Sequence, residues 1–195
     1  FKVKNIIIKN KLLYQKVKKL LKKTKTKVFS GNTSISSIIQ GKIDLTMSAI
    51  VGLAGLQPTV DAIKVSKTVA LANKETIICA WHILEKLMKK YKTEIIPVDS
   101  EHFSIMELTQ NAQDEEIEEI IITASGGPFL YTPIKKLNHI KAKQAIKHPN
   151  WKMGKKISID SATMINKVFE IIEAKKIFNL KYNQLDILVH SKSYV

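Results

Sequence analysis

"TVALANKETIICAWHILEKLMKKYKTEIIPVDSEH", residues 68–102, decides how the chain is built. Residues 68–73 read as a short apolar strand. Residues 74–91 carry Ile78, Trp81, Leu84 and Leu87 at helical spacing, which predicts a helix with those side chains facing inward, and residues 93–98 return to a strand. A strand, a helix and a second strand in this order predict a crossover unit, the element from which parallel sheets are made. In such sheets ligands gather beyond the carboxyl ends of the strands. Here the second strand runs directly into Asp99, Ser100, Glu101 and His102. If the extended geometry continues, Asp99 and Glu101 leave one face and Ser100 the other, and carboxylates at that spacing are hard oxygen ligands suited to magnesium or manganese. The same residue types also make an ordinary strand-ending turn, so both readings stay open for this stretch alone.

The pattern extends upstream. Residues 2–9 predict a strand, and Leu12, Leu13, Val17, Leu20 and Leu21 an amphipathic helix. "KVFSG" predicts a short strand closed by Gly31, "LTMSAIVG" a buried strand reaching Gly52, and "QPTVDAIKVS" a helix entered near Pro58. The alternation argues for an α/β fold with a parallel sheet over the first hundred or so residues. Downstream the rhythm changes to α+β. An acidic run leads into a strand that stops at Ser125, Gly126, Gly127 and Pro128; "IKKLNHIKAKQAI" is polar and helical. "HPNWKMGKKISID" predicts a loop leading into a strand, "ATMINKVFEIIEAKKIFN" a long helix, and "QLDILVHSKSYV" a last strand.

Composition narrows the partners. The formal charge of +15 invites a polyanion, yet every basic residue is lysine, and specific nucleic-acid readers lean on the guanidinium fork that lysine lacks. Positive charge of this kind would still draw in a small anionic substrate. No apolar run approaches the roughly 20 residues that cross a bilayer. The single Cys79 lies in an apolar stretch and has no internal partner for a disulfide, which predicts a buried packing cysteine in a reducing compartment.

Further constellations carry chemistry. On a helix, Asn166, Lys167 and Glu170 share one edge, expected to face solvent, while Ile165, Phe169 and Ile172 pack away from it. Either Lys167 and Glu170 form a surface ion pair, with Asp160 or Ser161 as a helix N-cap, or Glu170 is a third carboxylate for a metal and Ser161, Asn166 and Lys167 hold a substrate's oxygens. "SGGPF" is either a turn or a backbone cradle for an anion. His148, Trp151 and Met153 lie in a Gly- and Pro-punctuated loop, which suits a lid or a loop anchored to the core.

In this order, "LANKE", "PVDSEH", "SGGPF" and "HPNWKMGKKISIDSATMINK" with "FE" just after resemble the 1-deoxy-D-xylulose 5-phosphate reductoisomerase family, the similarity running from Phe1 to Val195. The resemblance implies that residues 1–98 are the remainder of a Rossmann-like NADPH-binding domain. It implies a catalytic domain over residues 99–195, with a flexible lid over residues 125–155. It implies conversion of 1-deoxy-D-xylulose 5-phosphate to 2-C-methyl-D-erythritol 4-phosphate in non-mevalonate isoprenoid synthesis, with a divalent metal (Mg2+, Mn2+ or Co2+) on Asp99, Glu101 and Glu170. Lys74, Glu101, His148 and Glu170 would be catalytic. Lys74, Ser100, Glu101, Ser125, His148, Trp151, Met153, Ser161, Asn166, Lys167 and Glu170 would contact the sugar phosphate, and Asn73, Glu75 and Gly154 would lie against NADPH. It further implies a homodimer in the cytoplasm, or in a plastid-type organelle, with neither nucleic acid nor membrane as partner. Two departures stand out. No G-x-G-x-x-G or G-x-x-G-x-x-G occurs, "GLAGLQPT" having the wrong spacing, and Ser191 stands where the family usually has proline. The expectation is therefore a fragment that binds NADPH poorly by itself. The alternatives are a metal-dependent sugar-phosphate isomerase or lyase without reduction, and a basic nucleic-acid-binding module.

Overall fold

The computed structural model describes residues 2–31, 33–148 and 151–190. Two compact units are present, Phe1–Asn73 with His82–Ile96, and Lys74–Trp81 with Pro97–Val195.

In the first unit, β1 (Asn5–Ile8) runs parallel to β2 (Lys27–Ser30), Asn5 opposite Lys27 and Ile8 opposite Ser30. Between them lies α1 (Lys11–Leu20), started by Asn10, whose side chain accepts the Leu12 N–H at 2.9 Å. A one-turn helix, α2 (Ile35–Ile38), is capped by Ser34. A second sheet has the order β3 (Ile43–Ser48), β4 (Ser66–Leu71), β5 (Glu94–Pro97), with β3 and β4 parallel, and α3 (Leu56–Val65) connects those two. The strand expected to reach Gly52 stops at Ser48. Beyond it the backbone polar groups are satisfied by side chains instead of a ladder: Asn73 Nδ2 donates to the carbonyls of Ile50 and Gly52, and Gly52 takes a left-handed φ of +75°. Ile63, Val69, Leu71 and Leu84 are among the buried core residues.

The helix of the opening stretch is α4 (Lys74–Tyr91), broken at Ala80 (φ −138°, ψ 17°). Lys176 Nζ donates to the carbonyls of Ile77 and Ile78 beside that break, at 3.2 and 2.8 Å. Ile77, Ala80 and Leu84 form the buried stripe, while Ile78, Trp81 and Leu87 are only partly buried. Cys79 is exposed, contrary to the packing role expected of it, because at about 100° per residue it falls off the stripe through Ile77 and Ala80.

The second unit contains α5 (Ser100–Thr109), β6 (Ile120–Ala124), the one-turn α6 (Ile134–Leu137) and α7 (Ala142–Ala145), α8 (Lys155–Ala162), α9 (Ile165–Ile177) and β7 (Leu185–Val189). β6 and β7 are parallel, from Ile120 opposite Leu185 to Ala124 opposite Val189. Ile105, Ile122 and Ala174 are buried together, with Ile120, Ile171, Phe178 and Leu185 packed on them.

Several expectations fail in this unit. Extended geometry ends at Pro97, and Asp99 and Glu101 flank the start of α5, so helix geometry and not strand alternation brings them together. The polar segment 134–146 forms two single turns, neither with a buried residue, since it has no apolar face to hold a longer helix. The segment read as a strand after Gly154 is α8; Ile157 and Ile159 fit either period, and Ser158 Oγ bonds back to the Gly154 carbonyl at 2.9 Å as a helix allows. Asp160 and Ser161 therefore close α8 and do not cap α9, whose N-cap position is Met164 at φ +60°. The charged edge of α9 is buried: Lys167, Glu170 and Glu173 face inward, whereas Ile165 and Val168 are 41% and 46% exposed. Ser191, Pro149 and Asn150 lie outside the described residues.

Candidate active site

Short connections deliver the polar side chains. Lys74 opens α4 soon after β4 ends; Asp99 and Glu101 flank the N-terminus of α5, where unpaired backbone N–H groups favour anions; Asn166, Lys167 and Glu170 leave the first turns of α9. Ligand oxygens of Asp99, Glu101 and Glu170 all lie within 4.8 Å of one another. Two ammonium groups are threaded among them. Lys74 Nζ is 3.0 Å from Asp99 Oδ2, 2.9 Å from Asn166 Oδ1 and 3.6 Å from Glu170 Oε1. Lys167 Nζ is 3.0 Å from Glu101 Oε1 and 2.5 Å from Glu170 Oε2, and it also donates to the Thr123 carbonyl at 2.8 Å. Asn166 Nδ2 donates to Glu170 Oε1, and Ser100 Oγ to Glu101 Oε2 at 2.8 Å.

Burial sets the proton affinities. It raises Asp99 above the ordinary carboxylate range, helped by a hydrogen bond with Glu101 and opposed by Lys74. Burial would also raise Glu101, but that hydrogen bond, Lys167 and Ser100 hold it at about 2. Glu170 is pushed up to about 7 by burial and by the charge of Glu101, against the pull of Lys167 and Lys74. Burial disfavours the Lys74 ammonium, yet Asp99, Glu173 and Glu170 outweigh it and raise its pKa. The three carboxylates outnumber the two ammoniums, and the buried Oε2 of Glu170 is met by the Lys167 ammonium. An all-oxygen donor set in which carboxylates crowd within 4.8 Å of one another and outnumber the cations beside them fits a small hard divalent cation.

Beside this cluster opens a cavity of about 780 Å3 lined by Ser100, Ser125, His148, Trp151, Met153 and Ser161 among others. His148 Nδ1 accepts the Trp151 N–H at 3.0 Å, which leaves its proton on Nε2, directed at Ser125 Oγ 3.1 Å away. Gly127, at φ +68°, sits so close to α8 that a Cβ there would meet the Ser161 carbonyl oxygen at 2.6 Å, which keeps the "SGGPF" loop against Ser161. Trp151 is 58% exposed.

The residues expected to meet NADPH are not gathered into this cluster. The Asn73 amide belongs to the first unit and is engaged with Ile50 and Gly52; Glu75 pairs with Lys156 at 2.6 Å; Gly154 precedes α8 with open space at its Cα. Conversely, His102, which the sequence places at the strand end without a role, and Glu173, which the sequence does not single out at all, join the cluster. His102 is buried, its Nε2 3.0 Å from the Glu170 carbonyl and its Nδ1 4.0 Å from Asp99 Oδ1. Glu173, one turn beyond Glu170, is pushed up to about 8, mainly by burial against the pull of Lys74. Their spacing of three residues from Asp99 and from Glu170 was the available signal.

Comparison with known proteins settles the kinship. The family model for 1-deoxy-D-xylulose 5-phosphate reductoisomerase matches residues 1–81, and the one for that enzyme's C-terminal domain matches residues 95–178. The chain belongs to the 1-deoxy-D-xylulose 5-phosphate reductoisomerase family. The reductoisomerase of Pelagibacter ubique is 57% identical over 100% of this chain, which covers 51% of that protein. That of Wolbachia pipientis wMel is 45% identical over 98% of the chain and 49% of its own length. Among solved reductoisomerases, the Zymomonas mobilis enzyme in complex with NADPH superposes with a TM-score of 0.88 at 38% identity, covering 98% of this chain and 49% of that one. A complex with NADPH, fosmidomycin and magnesium superposes at 0.86 and 36% identity, covering 99% and 50%. The chain spans about half the length of the curated relatives it matches. The α/β architecture with parallel strands is that of these structures.

Proposed function

We propose that this chain carries the metal and substrate machinery of an NADPH-dependent reductoisomerase that converts 1-deoxy-D-xylulose 5-phosphate to 2-C-methyl-D-erythritol 4-phosphate. The observation that carries the reading is the convergence of Asp99, Glu101 and Glu170 with Lys74 and Lys167 beside a cavity large enough for a sugar phosphate. Asp99, Glu101 and Glu170 would hold a divalent cation such as Mg2+, Mn2+ or Co2+, which when bound supplies Lewis-acid stabilisation of negative charge on substrate oxygens. Lys74 and Lys167 place fixed positive charge at the same spot, so developing oxyanions meet charge that needs no reorganisation. Asn166, Ser100 and Ser161 offer hydrogen bonds that orient the sugar. Ser125 and the Nε2–H of His148 are suited to the phosphate end, and His148 is also the group placed to hold or release a proton there. Trp151 and Met153 would cover the bound substrate and exclude water as part of a lid over residues 125–155.

In this reading residues 1–98 are the cofactor-binding part and residues 99–195 the catalytic part, with Asn73, Glu75 and Gly154 toward NADPH, which supplies the hydride. The working protein would be a cytoplasmic homodimer; no helix among the described residues is long and apolar enough to cross a membrane. The test uses the protein expressed from its own gene. NADPH oxidation should require both 1-deoxy-D-xylulose 5-phosphate and Mg2+ or Mn2+, and Glu170→Gln should lower turnover by about 100-fold or more. Oxidation indifferent to metal, or unchanged by Glu170→Gln, would remove the reading.

A further inference from the structure

Lys156 stands where local helix electrostatics do not want it. It occupies the first turn of α8, against the positive end of the helix dipole, and its i,i+4 partner Asp160 lies in the less favourable order for a helical ion pair. Tertiary contacts explain the placement. Its Nζ lies 2.6 Å from Glu75 Oε1 on α4 and 2.6 Å from Asp160 Oδ2 on α8, and it sits 5.1 Å from the ring centroid of Phe169 on α9. Burial works against its charge, but Asp160 and Glu75 outweigh that and raise its pKa, so the ammonium is kept. Each partner is the chain neighbour of a residue facing the carboxylate cluster or its cavity: Glu75 follows Lys74, Asp160 precedes Ser161, and Phe169 precedes Glu170. Lys156 also lies two residues past Gly154, at the root of the loop bearing His148, Trp151 and Met153.

We infer that Lys156 is a positioning residue, a single ammonium that ties α4, α8 and α9 together from behind and so fixes Lys74, Ser161 and Glu170 relative to one another. Nothing in its place touches the cavity, and its effect is transmitted through the side chains beside those it aligns. A neutral side chain would let the start of α4 and the first turn of α8 drift apart. A guanidinium could still bridge both carboxylates and lie over the ring.

The inference rests on the proposed metal and substrate site, and the test separates the two. Mn2+ affinity is measured by electron paramagnetic resonance on the protein expressed from its own gene, well below its melting temperature, with turnover measured alongside. Lys156→Met should weaken Mn2+ binding by about 10-fold, as for supporting groups behind a metal site, and lower kcat more than it changes KM for the sugar phosphate. Lys156→Arg should recover most of both, Glu75→Gln should reproduce the Met loss, and combining Glu75→Gln with Lys156→Met should add little. Wild-type Mn2+ affinity in Lys156→Met, or equal losses in Met and Arg that track a fall in melting temperature, overturns the inference. If Glu170→Gln also binds Mn2+ normally, the site reading fails and the inference with it. If Glu170→Gln loses Mn2+ while Lys156→Met keeps it, only the inference falls.

Discussion

The two units bury different things. In the first, the buried polar groups are mostly hydroxyls and amides matched to nearby partners: Ser48 to Thr59 at 2.7 Å, Thr93 to the Ile63 and Ser66 carbonyls at 2.6 and 2.8 Å, Asn73 to its loop. Charge there stays mostly outside: Lys is the only ionic type before Asp44, and buried Asp61 is the exception, set on α3 beside the partly exposed ammonium of Lys64 at 3.4 Å. In the second, Lys74, His102, Lys167, Glu170 and Glu173 are all buried, in a space where apolar side chains would pack more cheaply. A fold that only needed stability would resemble the first unit throughout. Retaining opposed charges in a low-dielectric interior is the mark of a site that must hold charge during chemistry.

That contrast can be broken at graded cost. The largest effect should come from Lys167→Met, which strips Glu101 and Glu170 of their closest cation; in chelator it should destabilise the protein by about 3–5 kcal/mol by urea denaturation, and a loss under 1 kcal/mol would mean the charges are not coupled. Next is Glu173. Its pKa rises from an ordinary 4.5 to about 8 on folding, so the folded state holds a proton the unfolded chain has released, and its burial weakens the fold progressively as pH climbs through that window. Glu173→Gln should therefore stabilise the protein by on the order of 2 kcal/mol at pH 8, with the gain fading toward pH 4.5; a gain independent of pH would contradict the assignment. In the first unit, Thr93→Val should cost about 1–3 kcal/mol by removing the hydroxyl that donates to the Ile63 carbonyl, while the Ser66 carbonyl keeps Lys42 Nζ at 3.1 Å. The smallest change is Lys16→Gln on exposed α1, within about 0.5 kcal/mol; a larger shift would show that the basic surface has a structural role.

The same contrast explains what could be read in advance. β4, α4 and β5 follow from apolar periodicity, whereas β3, expected to be a buried strand, exposes Leu45 and Met47. On α9 burial and hydrophobicity part company. Asn166, Lys167 and Glu170 repeat at the spacing of an ordinary solvated stripe, and only the tertiary fold reveals that this stripe faces in while Ile165 and Val168 face out. In α8, one polar residue between two isoleucines satisfies strand and helix alike, and the choice is made by Ser158 being buried against its neighbours. Asp99 and Glu101 were legible as acids at a strand end, but the turn into α5 that unites them was not. His102 was legible only as the last residue of the strand-end cluster and Glu173 only by its spacing from Glu170, while Cys79 sat in an apolar run whose buried stripe passes through Ile77 and Ala80 and misses it.

The most direct test is anomalous diffraction from crystals of the protein soaked in Mn2+. The account predicts one strong peak at about 2.0–2.3 Å from a carboxylate oxygen of each of Asp99, Glu101 and Glu170. A map with full Mn2+ occupancy elsewhere and none among those oxygens would contradict it.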